Sequence, residues 1–264
     1  MAKLELNYMQ ENRNGTERLR SFLVLLATLG TIAFNWLAAV GRINGVTPEM
    51  VSAYYPTLVT PAGYAFSIWS LIYAGLIAFS IYQLFPSNLA RFRNIRSLYI
   101  LSCALNCAWL YFWHNGQIGI CLMIIAALCA VLFVINYHLQ RPETPAENWF
   151  VKGPFGIYFG WVTAATLVNF AVFLVYLNVR MSETSNIILA IVLLLLAAAI
   201  GVFMRAYYRG YFYPLAIAWA LTAVAVEQSG HTFIVSAAAL GVIVSLVASI
   251  SFVMNLNSSI SEQH

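Results

Sequence analysis

Eight long apolar stretches run through this chain, and this pattern constrains its fold more than any other feature. Each stretch holds about 18 to 25 residues, enough at roughly 1.5 Å per residue to cross a hydrocarbon core of about 30 Å. The predicted spans are 21–41, 63–85, 97–115, 117–139, 155–177, 185–207, 211–228 and 232–256. Only short loops separate them, so we predict an all-α, polytopic membrane helix bundle of about eight transmembrane helices.

Basic residues fall almost entirely on one side of these spans. Of the 13 lysines and arginines, only Arg42 and Arg180 fall on the opposite side. Because loops rich in Lys and Arg stay in the cytoplasm, we predict that both termini are cytoplasmic and that the membrane is a bacterial inner membrane. The same cations can meet anionic lipid headgroups, so the net charge of +4 needs no nucleic-acid partner, and the predicted partner is the lipid bilayer.

Ionisable side chains are scarce inside the predicted spans. Charged residues make up 8% of the chain, Asp is absent, and only Glu227 among the glutamates lies near the membrane interior. Proton relays and ion-coupled pumps usually carry ionisable residues at mid-membrane depth. Motifs for nucleotide binding, zinc proteases and serine nucleophiles are also absent, and the four cysteines have no metal-ligand spacing. The sequence therefore predicts no catalytic residue, no metal ligand and no certain cofactor.

Tryptophan recurs beside small or polar residues in three of the spans. Pro61 is expected to open the second span, whose Trp69 and Tyr73 share one helical face. In the third span Asn106 shares a face with Trp109. A buried asparagine in a membrane span usually bonds to a neighbouring helix, so each motif alone favours a packing role.

The fifth span repeats the pattern with a stripe of Tyr158, Trp161, Ala165 and Asn169. A GxxxG motif that begins at Gly156 would allow another helix to approach closely. Together the three motifs supply aromatic faces, space and a few polar groups. That combination is also typical of a pocket for a flat, largely apolar ligand.

At these residues the chain resembles the TspO/MBR family, the tryptophan-rich sensory proteins related to the mitochondrial translocator protein. The second span is similar to the family segment P-x-x-x-F-x-x-x-W-x-x-L-Y, the third to L-N-x-x-W, and the fifth to P-Y-x-x-W-x-x-F-A-x-x-L-N. The resemblance covers roughly residues 20–178, and the whole chain resembles an extended branch with three additional C-terminal helices. The two tryptophans of the family's first loop have no counterpart here.

The resemblance implies three regions: a polar N-terminal tail (1–20), a TspO-like five-helix bundle (21–178), and three additional helices with a short tail (179–264). It also implies a pocket beneath the first loop, where family members bind porphyrins, sterols and synthetic aromatic ligands. Trp69 and Trp161 would face that pocket. The candidate ligand-binding residues are Trp69, Trp161, Ala165, Tyr73, Asn106, Trp109, Tyr158 and Asn169.

Three functions follow as hypotheses. The first is an integral membrane ligand-binding protein, a sensor or carrier for a tetrapyrrole such as a porphyrin, a sterol or a similar apolar aromatic molecule. The alternatives are a small-molecule transporter or permease component, which eight helices would suit, and a membrane enzyme that acts on a porphyrin. Small residues such as Ala104 and Ala108 would also permit a homodimer.

Overall fold

The structure is a computed structural model that describes the backbone of residues 2–261 and the side chains of residues 15–251. The helices are α1 (Ala2–Ala39), α2 (Pro48–Ala53), α3 (Ile68–Tyr82), α4 (Arg93–His114), α5 (Ile118–His138), α6 (Pro145–Glu147), α7 (Gly153–Tyr176), α8 (Glu183–Tyr208), α9 (Phe212–Glu227) and α10 (Thr232–Ser261). Turns of 3₁₀ helix at Gly63–Ser67 and Pro86–Asn88 and a π-helical turn at Asn148–Lys152 complete the secondary structure. No strand occurs among these residues, which confirms the all-α class.

Seven segments of the described chain are long and apolar enough to cross a membrane, judged by length and composition. The remaining predicted span, α9, has 16 residues and is shorter than the others. Hydrogen bonds nevertheless tie the residues just before α9 to one end of the bundle and the residues just after α9 to the other end. The Lys152 ammonium donates to the Arg209 carbonyl at 3.3 Å just before α9, and Gln228 Nε2 donates to the Thr57 carbonyl at 3.3 Å just after it. The bundle therefore has seven candidate membrane spans among the described residues, and α9 is a shorter apolar helix that packs among them.

The first loop, residues 40–62, marks one face of the bundle, which we call the loop side. Asn44 Nδ2 donates to Asn115 Oδ1 at 3.0 Å, and the indole of Trp113 donates to the Pro48 carbonyl at 3.2 Å. These bonds tie the loop to the end of α4. The opposite face carries most of the basic residues, and we call it the basic side.

A buried ion-pair cluster that the sequence did not predict lies on the basic side. Helix α1 begins well before residue 21 and brings Glu17 against α4. Arg96, which the sequence places in a loop, lies inside α4 and is 0% exposed. Its Nη1 donates to Glu17 Oε2 at 2.6 Å and to the Leu89 carbonyl at 2.7 Å, while Nε donates to Gln83 Oε1 at 2.8 Å. The cluster joins α1, α3 and α4.

Helix α9 packs in the interior between α7, α8 and α10. The GxxxG motif of α7 allows this approach: a Cβ at Gly160 would lie 2.5 Å from the Tyr213 carbonyl oxygen and 2.9 Å from Ala216 Cβ. At the same contact the Tyr213 hydroxyl donates to Thr163 Oγ1 at 2.7 Å. Helix α9, and to a smaller extent α8, thus packs directly on α7, whereas α10 packs on α8 and α9. The division of the chain into regions at residue 178 stays a prediction.

Candidate ligand-binding site

A cavity of about 80 Å³ lies beneath the first loop, enclosed by α3, α4, α5, α7, α8 and α9. We call it the aromatic cavity. The predicted site residues that line it are Trp69, Asn106, Trp109, Trp161, Ala165 and Asn169. The structure therefore brings together residues of three separate sequence motifs.

The approach to α3 differs from the prediction. Pro61 does not open the helix, because the 3₁₀ turn at Gly63–Ser67 comes first. The physical reason is that backbone groups of this segment form hydrogen bonds with residues of α9. The Trp219 indole donates to the Ala65 carbonyl at 3.0 Å, and the Ala62 amide donates to the Ala223 carbonyl at 3.0 Å. The first loop is therefore fixed to a C-terminal helix.

Edge-to-face contacts dominate around Trp69. Its ring lies 6.5 Å from that of Trp161 at 85°, and Phe66 meets Trp161 at 6.1 Å and 78°. Such arrangements are favourable for aromatic pairs and leave ring faces available to a ligand. Tyr73 stacks on Trp69 at 5.4 Å, and Tyr158 meets it edge-on at 5.8 Å. These two predicted residues do not line the cavity but support Trp69 from behind.

The two asparagines at the cavity wall are hydrogen-bonded, and each has one partner on another helix. The Trp109 indole donates to Asn169 Oδ1 at 3.2 Å, and Asn169 Nδ2 donates to the Ala165 carbonyl at 2.9 Å. Asn106 Oδ1 accepts from Asn35 Nδ2 at 2.8 Å. Asn106 thus does two things at once: it links α4 to α1 and it lines the cavity.

We expect Asn106→Leu to destabilise the bundle by about 0.5–2 kcal/mol, because the Asn35 amide loses its acceptor within a membrane span. Unfolding in mixed detergent micelles, followed by circular dichroism, measures the change. Asn115→Leu is a suitable control, since Asn115 bonds to Asn44 at the exposed loop side. Equal stability of the Asn106 variant and the wild type would contradict the interhelical role.

One wall of the cavity could not be predicted from the sequence. It is built from the last three helices, by Leu193, Leu194 and Ala197 of α8 and by Ala220, Leu221 and Val224 of α9. Aliphatic residues of this kind occur along any membrane helix, so nothing in the sequence distinguishes the six. The added helices therefore complete the site that the first five helices begin.

The cavity can bind a ligand by aromatic stacking and close apolar contact, but it has little capacity for proton transfer. Among the described residues, its lining contains no ionisable side chain, and its polar side chains are Ser52, Asn106 and Asn169. Nor do the described residues contain a group of three or more His, Cys, Asp or Glu side chains able to hold a metal ion. The arrangement suits binding of an apolar, flat molecule.

Comparison with known families gives a match to the family described as TSPO-like protein, over residues 21–252. The chain belongs to the TSPO-like family. The match runs from α1 into α10, so it includes the added helices as well as the tryptophan motifs. Neither curated proteins nor solved structures show a match to this TSPO-like protein.

Proposed function

We propose that this TSPO-like protein is a membrane ligand-binding protein, a sensor or carrier for a tetrapyrrole, a sterol or a similar apolar aromatic molecule. The observation that carries the proposal is the aromatic cavity with Trp69 and Trp161 on its wall. Both indoles are largely enclosed by protein and contact each other edge to face, so an aromatic ring in the cavity beside them would be removed from water and lipid alike. Stacking and apolar contact would supply the affinity.

The size of the cavity limits how such a ligand sits. One ordered water needs about 10–15 Å³ of comparable space, so a cavity of about 80 Å³ holds only a handful of waters or a small ring. A tetrapyrrole or a sterol would therefore enter by one edge, or it would move the walls apart. We propose that binding is accompanied by displacement of the wall formed by α8 and α9.

We further propose the predicted orientation, with the basic side in the cytoplasm of a bacterial cell. The uneven distribution of Lys and Arg supports it. A homodimer is also proposed, through the α4 face that carries Ala104, which is exposed, and Ala108, which is half-buried. Small residues on an open helix face allow a second helix to approach.

Transport is a second candidate function, and one observation favours it. A cleft of about 860 Å³ opens on the loop side directly above part of the aromatic cavity. A molecule bound in the cavity would thus lie close to one membrane face. No ionisable side chain lines the aromatic cavity among the described residues, which favours binding over catalysis.

Saturable quenching of tryptophan fluorescence by protoporphyrin IX in nanodiscs is the expected result for the purified protein. Trp161→Ala should weaken the binding by about 1–3 kcal/mol through lost stacking area. The double substitution Trp69→Phe and Trp161→Phe should remove the saturable part of the quenching. Both effects follow from the placement of these indoles at the cavity wall.

Trp149→Phe is the matched control, because Trp149 is 59% exposed on the basic side and lies away from the cavity. It should leave the affinity unchanged. Quenching that rises linearly with porphyrin, or that is equal in the wild type and the double variant, would contradict the proposed site. Flux of a small aromatic molecule in proteoliposomes would then favour transport.

A further inference from the structure

The cleft on the loop side, here called the loop-side cleft, is lined mostly by residues that follow the TspO-like bundle of residues 21–178. It measures about 860 Å³, within the usual range for small-molecule sites. Its walls come from the first-loop segment 56–59, the end of α7, the turn after it, and the first turns of α8. Gln228 and His231, between α9 and α10, complete it.

Only one layer of side chains separates this cleft from the aromatic cavity. Val59 and Leu193 line both spaces, and their exposed fractions are 3% and 6%. Val59 comes from the first loop and Leu193 from α8. The two side chains thus form a thin apolar wall between a wide cleft, whose lining is partly apolar and partly polar, and the small aromatic cavity.

Four polar side chains of the cleft lack a protein partner among the described residues. Those of Asn178, Arg180, Asn186 and His231 make no hydrogen bond or ion pair to any described residue. Glu183 also lines the cleft, but it forms no ion pair with Arg180 among the described residues. An arginine fork without a partner is suited to a carboxylate, because it can donate two parallel hydrogen bonds.

We propose that the loop-side cleft is the entrance and the polar half of the ligand site. It takes the anionic end of an amphipathic ligand, whose flat apolar end passes between Val59 and Leu193 into the aromatic cavity. This proposal rests on the proposed ligand-binding function and names the class of ligand more narrowly. It also explains how a cavity of about 80 Å³ serves a larger molecule, since the remainder of that molecule lies in the cleft.

Val59 is held in place by a short turn of the first loop, and Gln228, which follows α9, hydrogen-bonds to that turn. The Thr60 amide donates to the Thr57 carbonyl at 3.2 Å, and the two threonine hydroxyls lie 2.9 Å apart. Gln228 Nε2 donates to the same Thr57 carbonyl at 3.3 Å. Displacement of this turn would move Val59 and open the passage without unfolding a helix.

A pair of probes tests the polar half of the site. Pyrenebutyrate joins a flat apolar ring system to a carboxylate, and its methyl ester has the same ring without the charge. In nanodiscs, energy transfer from tryptophan to pyrene reports binding, with empty nanodiscs as the reference for partition into lipid. Arg180→Gln should weaken the acid about fivefold and leave the ester unchanged, whereas Glu183→Gln should strengthen the acid.

The matched control is Arg42→Gln, since Arg42 is the other arginine on the loop side and does not line the cleft. It should affect neither probe. Saturable binding of both probes that is indifferent to Arg180→Gln, or that changes equally for acid and ester, overturns this proposal alone. If protoporphyrin IX binds saturably and neither pyrene probe does, this proposal fails alone. If neither the porphyrin nor the probes bind saturably, the proposed ligand-binding function fails as well.

Rates of association test the passage. Leu193→Trp should slow the association of both probes at least tenfold, because the larger ring fills the wall between cleft and cavity. Leu193→Ala should accelerate it. Leu196→Trp is the control, since Leu196 is 43% exposed and lies outside both spaces. Unchanged association in Leu193→Trp would mean that ligands reach the cavity by another route, and the passage would be disproved.

Discussion

Replacing Arg96 with methionine is expected to destabilise the protein by about 3 kcal/mol, the lower end of the range for breaking a buried ion pair from one side. Arg96 is fully buried and donates to Glu17, Gln83 and the Leu89 carbonyl. Its loss leaves the Glu17 carboxylate with only the weaker contact to Arg20 at 3.4 Å and the more distant Arg93 at 3.7 Å. Unfolding in mixed detergent micelles measures the free energy.

The double substitution Glu17→Leu and Arg96→Met distinguishes charge from packing. Because two apolar residues leave no uncompensated charge, it should recover much of the stability that the single variant loses. Arg18→Met is the control, since Arg18 lies exposed one residue after Glu17. A double variant less stable than Arg96→Met would show that the cluster stabilises the bundle by means other than pairing the two charges.

The helices could be predicted from the sequence because a membrane span has a length requirement and an apolar composition that short windows reveal. The residues at which the helices begin and end could not be predicted in this way. Arg96 reads as a loop residue because it is charged, yet an arginine enters the bundle when a partner such as Glu17 comes from a distant helix. That partner is 79 residues away in the chain. Pairing of this kind depends on the packed structure and has no local signal.

Some residues of the candidate site could be predicted from the sequence and others could not, for a similar reason. Trp69, Trp109 and Trp161 could be predicted because large aromatic residues beside small or polar ones are uncommon in lipid-facing positions. Leu193 and Leu221 could not, since leucine faces lipid and protein alike. The contribution of α9 also depends on Trp219, whose indole bonds to the carbonyl of Ala65. The sequence shows the tryptophan but not its acceptor, which belongs to the backbone.

Gly160→Ala is expected to destabilise the protein by about 1–3 kcal/mol, and Gly160→Leu by more, because the added carbons meet a packed backbone. A Cβ at this position would lie 2.5 Å from the Tyr213 carbonyl oxygen, and a backbone atom cannot rotate aside as a side chain can. The loss exceeds the gain in helix propensity from glycine to alanine, which is at most about 1 kcal/mol. Helices α7 and α9 would have to separate.

Separation of these helices should also affect the ligand site, because α9 supplies Ala220, Leu221 and Val224 to the cavity wall. We therefore expect Gly160→Leu to lower both the unfolding free energy and the affinity for protoporphyrin IX. Gly30→Leu is the matched control: Gly30 lies in α1 with no atom within 4 Å of a Cβ built there. If Gly160→Leu bound the porphyrin as the wild type does, the C-terminal helices would not be needed for the site, and the five-helix bundle alone would suffice.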